Sequence, residues 1–323
     1  MDYEDRYRVS QRPKYDCLLF GKLIYLGNEN GGEGPTETIW LNLFADLDDT
    51  LYPLSSGLAR ECGNNIKDYI VEKLGIGKDK VVDFSNLLYK NYGTTMAGLR
   101  AIGYDFDYDE YHSYVHGRLP YDNLKPDPQL RSLLLTLPLR KIIFTNADKV
   151  HAAKALSKLG LEDCFEGIIC FETLNPSPKG TDSGDENDVE FLRSASATTD
   201  VHSSPEIFDI IGHFAQPKPS ATLPKTPIVC KPHESAIERA LKIAKINPQR
   251  TLFFDDSVRN IQAGKRVGLH TVLVGTSQRP KGADYALESI HNIKQALPEL
   301  WETDVKSDAN YTGPLAVETS VIA

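Results

Sequence analysis

Asp46 and Asp48 stand two residues apart in Asp46-Leu47-Asp48-Asp49-Thr50, directly after the apolar run Leu41-Asn42-Leu43-Phe44-Ala45. A strand leaving a parallel sheet carries its next side chains into the crevice at the carboxyl edge, where ligands of open α/β sheets bind. Two carboxylates there suit a nucleophile and its acid/base partner, because a carboxylate can accept a phosphoryl group as an aspartyl phosphate. The plain alternative is a solvated acidic turn. Three further segments weigh against it. Lys141-Ile142-Ile143-Phe144 runs into Thr145-Asn146, and Thr251-Leu252-Phe253-Phe254 runs into Asp255-Asp256-Ser257 with Asn260 about one helical turn on. Lys231 opens the helical pattern that continues to Leu241.

The elements that must position these residues follow from periodicity. Residues 55–125 are largely helical by spacing, with Leu58, Ile66, Tyr69, Ile70 and Leu74 recurring at mostly three- to four-residue intervals. A helical insert placed after the first catalytic strand closes over its carboxyl end as a cap. Pro126-Asp127-Pro128 starts a helix carrying Leu130, Leu133 and Leu134, residues 141–144 form a strand, and Val150–Leu159 form a helix with Gly160 as its C-cap. Phe165–Phe171 predicts a short strand, Ser257–Val267 a helix and His270–Val274 a last strand. Strands separated by helices imply a mostly parallel, Rossmann-like α/β sheet covered on both faces. The domain reading is a catalytic core over 14–54 plus 126–300 and a helical cap over 55–125. Residues 175–204 lose apolar periodicity and gather Asp182, Asp185, Glu186, Asp188 and Glu190, the composition of a disordered acidic loop.

One stretch breaks the pattern. Lys14–Phe20 is already a good first strand, yet residues 21–45, including Gly27–Gly34, intervene before Asp46. Removing them joins Leu18-Leu19-Phe20 to Asp46-Leu47-Asp48, so 21–45 is expected to be an insert from splicing. The alternative is a hairpin in which Leu41–Ala45 is the central strand and Cys17–Phe20 lies beside it.

Size and charge set bounds. The chain has 323 residues, 25% of them charged and 41% hydrophobic, and can bury a full core. A net charge of -9 opposes a nucleic-acid polymer as the main partner but leaves room for a small phosphate ester at a local positive site. No apolar run approaches a membrane span, and Met1–Asp5 is too acidic for a leader, so the expectation is a cytoplasmic protein, also admissible in the nucleus, without a membrane partner. The five cysteines show no C-x-x-C spacing and predict neither disulfides nor a zinc cluster. His112 and His116, four apart, can share a helix face, but no further ligand is evident beside them in sequence and no metal is expected there. Nothing in the sequence sets an oligomeric state.

Taken together, these motifs resemble the haloacid-dehalogenase-type hydrolases, mostly phosphatases, over about residues 14–20 and 46–275. More narrowly, Asp48-Asp49-Thr50-Leu51-Tyr52-Pro53, Phe144-Thr145-Asn146 and Phe253–Ile261 resemble the fungal and plant pyrimidine 5'-nucleotidase branch. The resemblance implies an Mg²⁺-dependent phosphomonoesterase with Asp46 as nucleophile and Asp48 as the acid that protonates the leaving oxygen and then deprotonates water. It also implies that Asp46, the Asp48 carbonyl and Asp256 hold Mg²⁺, with Asp255 acting through water as a further candidate. Lys231 and Thr145, with the backbone at Asn146, would bind the phosphoryl oxygens. The structural alternatives are a helix N-cap for Asp255-Asp256, an exposed helix-start lysine for Lys231 and a strand-end residue for Thr145. Substrate choice is expected in the cap, where Tyr92, His116 and Arg118 are candidates for contacting a base or sugar, against core packing for the first and surface exposure for the others. A phosphatase for another small metabolite, or an inactive binding or regulatory isoform, are the competing functions.

Overall fold

The computed structural model describes residues 40–176, 207–215 and 222–301. Its sheet is built from β1 (Asn42–Ala45), β2 (Arg140–Phe144), β3 (Gly167–Ile169), β4 (Thr251–Asp255), β5 (His270–Val274) and β6 (Tyr285–Leu287). The order is β3-β2-β1-β4-β5-β6, and every pairing is parallel. Chain order runs outward from β1 to β3 on one side and resumes with β4 on the other. The switch point is therefore between β1 and β4, which is where a doubly wound sheet opens a ligand crevice at its carboxyl edge. This mostly parallel α/β sheet with flanking helices is the architecture the sequence predicts.

Alternation along the strands builds two cores. Leu43, Ala45, Ile143, Leu252, Phe254, Val272 and Val274 face one side, under α5 (Pro128–Thr136), α6 (Lys149–Leu159) and α11 (Ile293–Ala296). Phe44, Ile142, Phe144, Phe253 and Leu273 face the other, under the helices Glu234–Ala244 (α9) and Val258–Val267 (α10). Because both faces are covered, the central strands carry continuous apolar runs, with polar residues only at their ends, rather than alternating apolar and polar residues. Phe44 stacks on Phe144 across the β1–β2 pair, with ring centroids 4.8 Å apart.

Between β1 and α5 lie four α-helices, α1 (Leu58–Glu72), α2 (Val81–Tyr92), α3 (Thr95–Ala101) and α4 (Tyr108–His116). They share a third core of Tyr69, Ile70, Phe84, Leu88, Tyr92, Met96, Leu99 and Tyr111, joined by Phe171, Ile210, Ile228 and Cys230. Phe171 belongs to α7 (Phe171–Leu174) and Ile210 to α8 (Ile210–Ala215). No described helix is long and apolar enough to cross a membrane.

Several local expectations change. The strand predicted over Phe165–Phe171 is confined to Gly167–Ile169, because Cys170 caps α7 and turns Phe171 into the helical core. Asn175, placed by sequence in the acidic loop, is structured: its side chain donates to the carbonyls of Phe171 and Val229 at 3.0 Å and accepts from the Val229 N–H at 2.8 Å. Residues 177–204 of that loop lie outside the described residues. So does the predicted strand over 14–20. Within the suspected insert, residues 42–45 form the central strand, which corrects the view that all of 21–45 is foreign to the sheet. The part of the hairpin alternative that makes Leu41–Ala45 the central strand holds for Asn42–Ala45, which lies between β2 and β4, while Cys17–Phe20 lie outside the described residues.

Candidate active site

Three strand ends meet at the switch point. The Asp46 N–H donates to the Phe254 carbonyl at 2.8 Å, which fixes the residue after β1 against β4. Its Oδ1 accepts from the Leu47 N–H at 2.8 Å and lies 3.0 Å from the Lys231 Nζ. Lys231 is only 1% exposed, not the exposed helix-start lysine of the alternative reading. Its ammonium also donates to Asp255 Oδ2 and to the Phe144 carbonyl, each at 2.8 Å. Burial works against its charge, but Asp255 and then Asp46 outweigh it and hold the ammonium protonated above the ordinary lysine range.

Asn146 positions this lysine. Its Oδ1 accepts from the Lys231 N–H at 2.9 Å and its Nδ2 donates to the Lys231 carbonyl at 3.1 Å. The Asn146 side chain is thus committed to the backbone of the lysine segment, which leaves the Asn146 backbone as the group expected to meet a phosphoryl oxygen. Thr145, buried at the end of β2, accepts the Ala147 N–H at 3.0 Å and shapes the turn that follows.

Asp255 is fully buried, and its carboxylate receives Lys231, the Ser257 N–H at 2.9 Å and the Asn260 Nδ2 at 2.9 and 3.1 Å. It caps no helix with these bonds; Ser257 is the N-cap of α10. Ligand oxygens of Asp46, Asp255 and Asp256 converge within 4.8 Å of one another. Burial pushes the Asp256 carboxyl up to about 7, with the charges of Asp255 and Asp49 adding to it. Burial also raises Asp46 well above the usual carboxylate range; Lys231 opposes this, while Asp255, Asp48 and Asp256 reinforce it. One ammonium cannot neutralise this many crowded carboxylates. An oxygen-only set of this kind fits a hard divalent cation such as Mg²⁺, with Asp46 and Asp256 less committed to protein donors than Asp255.

A second group, largely unforeseen, adjoins the first. Asp48 Oδ1 pairs with His151 Nε2 at 2.7 Å and accepts the Tyr52 hydroxyl. Burial pushes the Asp48 carboxyl up, but the charge and hydrogen bond of His151, with Tyr52 and His116, outweigh it and hold it below the usual range. His151 is in turn raised: burial opposes its charge and Asp48 overcomes that. The Tyr121 hydroxyl meets its Nδ1 at 2.8 Å. His116 Nδ1 contacts Asp148 Oδ2, and His112 Nδ1 is 3.6 Å from the same oxygen. Asp48, Asn146, His112, His116 and His151 all line one cavity of about 430 Å³.

Of the three specificity candidates, only His116 reaches this cavity. Its side chain is 14% exposed, so the surface reading does not hold. Tyr92 is buried in the helical core, outside the cavity lining, so packing accounts for it. Arg118 lies over the Tyr114 ring at 4.6 Å and 3.8 Å from Asp68, on the surface and away from the cavity. The residues that sequence reasoning passed over are Tyr52, Asp148 and His151. For Asp148 and His151 one signal was available: Asp148 follows a catalytic strand and sits where it caps α6, accepting the His151 N–H at 2.9 Å.

Residues 199–274 match the sequence model of the haloacid dehalogenase-like hydrolases, a span that includes Lys231, Asp255 and Asp256. Over this span the chain is similar to the haloacid dehalogenase-like hydrolases. The chain is also 32% identical over 133 residues to phosphate metabolism protein 8 of Saccharomyces cerevisiae, an alignment covering 39% of this chain and 41% of that protein. The chain thus spans under half the length of this curated relative. Among solved structures, the haloacid dehalogenase-type hydrolase YfnB of Bacillus subtilis, bound to magnesium, is 15% identical with a TM-score of 0.44, covering 80% of this chain and 99% of that one. The β-phosphoglucomutase of Clostridium difficile is 17% identical with a TM-score of 0.47, covering 81% of this chain and 97% of that one.

Proposed function

We propose that this haloacid dehalogenase-like chain is an Mg²⁺-dependent phosphomonoesterase acting through an aspartyl phosphate, with pyrimidine nucleoside monophosphates as its substrates. The observation that carries the reading is Asp46 at the carboxyl end of the central strand with the buried Lys231 ammonium 3.0 Å from its Oδ1. Asp46 attacks the phosphorus as the bond to the ester oxygen breaks. The leaving oxygen takes a proton held across the Asp48–His151 contact, and Asp48 then accepts a proton from the water that hydrolyses the acyl phosphate and regenerates Asp46. Lys231 and the turn at Thr145 stabilise the charge on the phosphoryl oxygens. Asp46, Asp256 and the Asp48 carbonyl would hold Mg²⁺, with Asp255 behind them; when bound, the ion neutralises the carboxylates and the incoming phosphate. The cavity beside Asp48, lined by Tyr89, Tyr111 and Phe171, supplies aromatic faces for a base.

The test is turnover of uridine, cytidine and purine monophosphates and sugar phosphates, with and without Mg²⁺, by the native chain and by Asp46→Asn. We expect Mg²⁺-dependent release of phosphate, fastest from the pyrimidine esters, and none above background from a folded Asp46→Asn. Turnover retained in that variant would sink the nucleophile assignment; a sugar phosphate leading the panel would replace the substrate class alone.

A further inference from the structure

The His112, His116 and Asp148 cluster is not used by the phosphoryl chemistry. His112 and His116 lie one turn apart on α4, and Asp148 is the N-cap of α6. One ligand atom from each falls within 4.8 Å of the other two. The Asp148 carboxylate is already oriented: Oδ1 accepts the His151 N–H at 2.9 Å, while Oδ2 points to both imidazoles. His112 is 7% exposed, yet among the described residues neither of its ring nitrogens has a hydrogen-bond partner. A buried polar group without a partner costs about 1–3 kcal/mol, so an imidazole kept in this state calls for a ligand.

We propose that His112, His116 and Asp148 form a site for one nitrogen-preferring divalent cation of the Zn²⁺ class, separate from the all-oxygen carboxylate cluster. Paired histidines four residues apart on one helix face, completed by a carboxylate from another element, are a zinc-binding donor set. The metal displaces the direct His116–Asp148 contact and gives His112 the partner it lacks. The hydrogen bond from the His151 N–H is the outer support that fixes a ligand's orientation. Because both histidines line the cavity, an ion has a path in, and a fourth position is open to water or substrate. Hard Mg²⁺ prefers oxygen ligands and several retained waters, so the two donor sets select different ions.

The experiment uses the full chain, stripped with a chelator and held in excess Mg²⁺ to cover the carboxylate cluster. Zn²⁺ is titrated by calorimetry and Co²⁺ by visible absorption. We expect one equivalent of Zn²⁺ and an intense Co²⁺ spectrum of four-coordinate, nitrogen-containing ligation. His112→Ala and His116→Gln should each weaken Zn²⁺ binding by at least about tenfold, whereas Asp256→Asn should not. Thermal melts confirm that each variant is folded. If His112→Ala fails to fold, His116→Gln and Asp148→Asn carry the test. No Zn²⁺ bound by the native chain, or equal affinity in the folded histidine variants, would overturn the site and leave the cluster as a plain histidine–aspartate hydrogen-bond group.

Discussion

Lys231 sits between Asp46 and Asp255, and what happens when it is removed separates structural from catalytic charge. Breaking a buried ion pair by deleting one partner leaves uncompensated charge and costs about 3–5 kcal/mol. We therefore expect Lys231→Met to lose stability of that order in Mg²⁺-free buffer, measured by urea unfolding, along with its turnover. A loss below about 1 kcal/mol would mean that the carboxylates are neutralised without the lysine. Asp46, Asp48, Lys231 and Asp255 were legible in the sequence because each follows an apolar run or opens a helical pattern, and local context announces them. His151 was not, since its partner Asp48 is 103 residues away and only the fold joins them. Conversely, Tyr92 and Arg118 were plausible by type, but type says nothing about which way a side chain faces.

At the scale of elements, the sheet depends on how closely its covering helices approach. A Cβ added at Gly264 on α10 would lie 2.7 Å from Phe253 Cδ1, and Phe253 is fully buried in β4. Gly264→Ala gains up to about 1 kcal/mol in helix propensity but forces α10 off the sheet at an overpacking cost of about 1–3 kcal/mol. A net fall in melting temperature is expected; an unchanged or higher one would show that Phe253 can move aside. Asp284 ties the loop before β6 to its neighbours, accepting the Thr271 N–H at 2.9 Å and the Lys265 ammonium at 2.7 Å. Burial raises its carboxyl, but the Lys265 and Thr271 hydrogen bonds outweigh that and lower it in the folded state. A depressed folded value means that this stabilisation is present above the unfolded value of about 3.9 and is lost as pH falls through the folded one. The native chain should therefore melt above Asp284→Asn at pH 7, with the gap closing below about pH 4. A gap that persists in acid would assign the effect to hydrogen-bond geometry rather than charge. The β5–β6 edge itself escaped sequence reading because Tyr285–Leu287 is a three-residue strand, too short to show a period.

For the whole molecule, the open matter is how the chain enters its sheet. Alternation and spacing made the order of strands and helices readable, since apolar runs bounded by turns dictate a covered parallel sheet. They could not choose between two runs that both suit the same strand. In the structure Asn42–Ala45 holds the position, with Phe44 stacked on Phe144 and the Asn42 side chain donating to Thr251 Oγ1 at 3.2 Å. Deleting residues 21–45 puts Cys17, Leu18, Leu19 and Phe20 in the sequence positions of Asn42, Leu43, Phe44 and Ala45. The exchange loses one aromatic stack and one hydrogen bond, and it sets a phenylalanine where a fully buried alanine stands. Each such change costs about 1–3 kcal/mol if the neighbours do not adjust. Yet the apolar run and its junction with Asp46 survive, so we expect the shortened chain to fold and to keep Mg²⁺-dependent turnover of phosphate esters. Side-by-side melts and rates decide what the segment does. A shortened chain as stable and at least as active would mark 21–45 as dispensable, whereas one that fails to fold would show that Asn42–Ala45 cannot be replaced at the centre of the sheet.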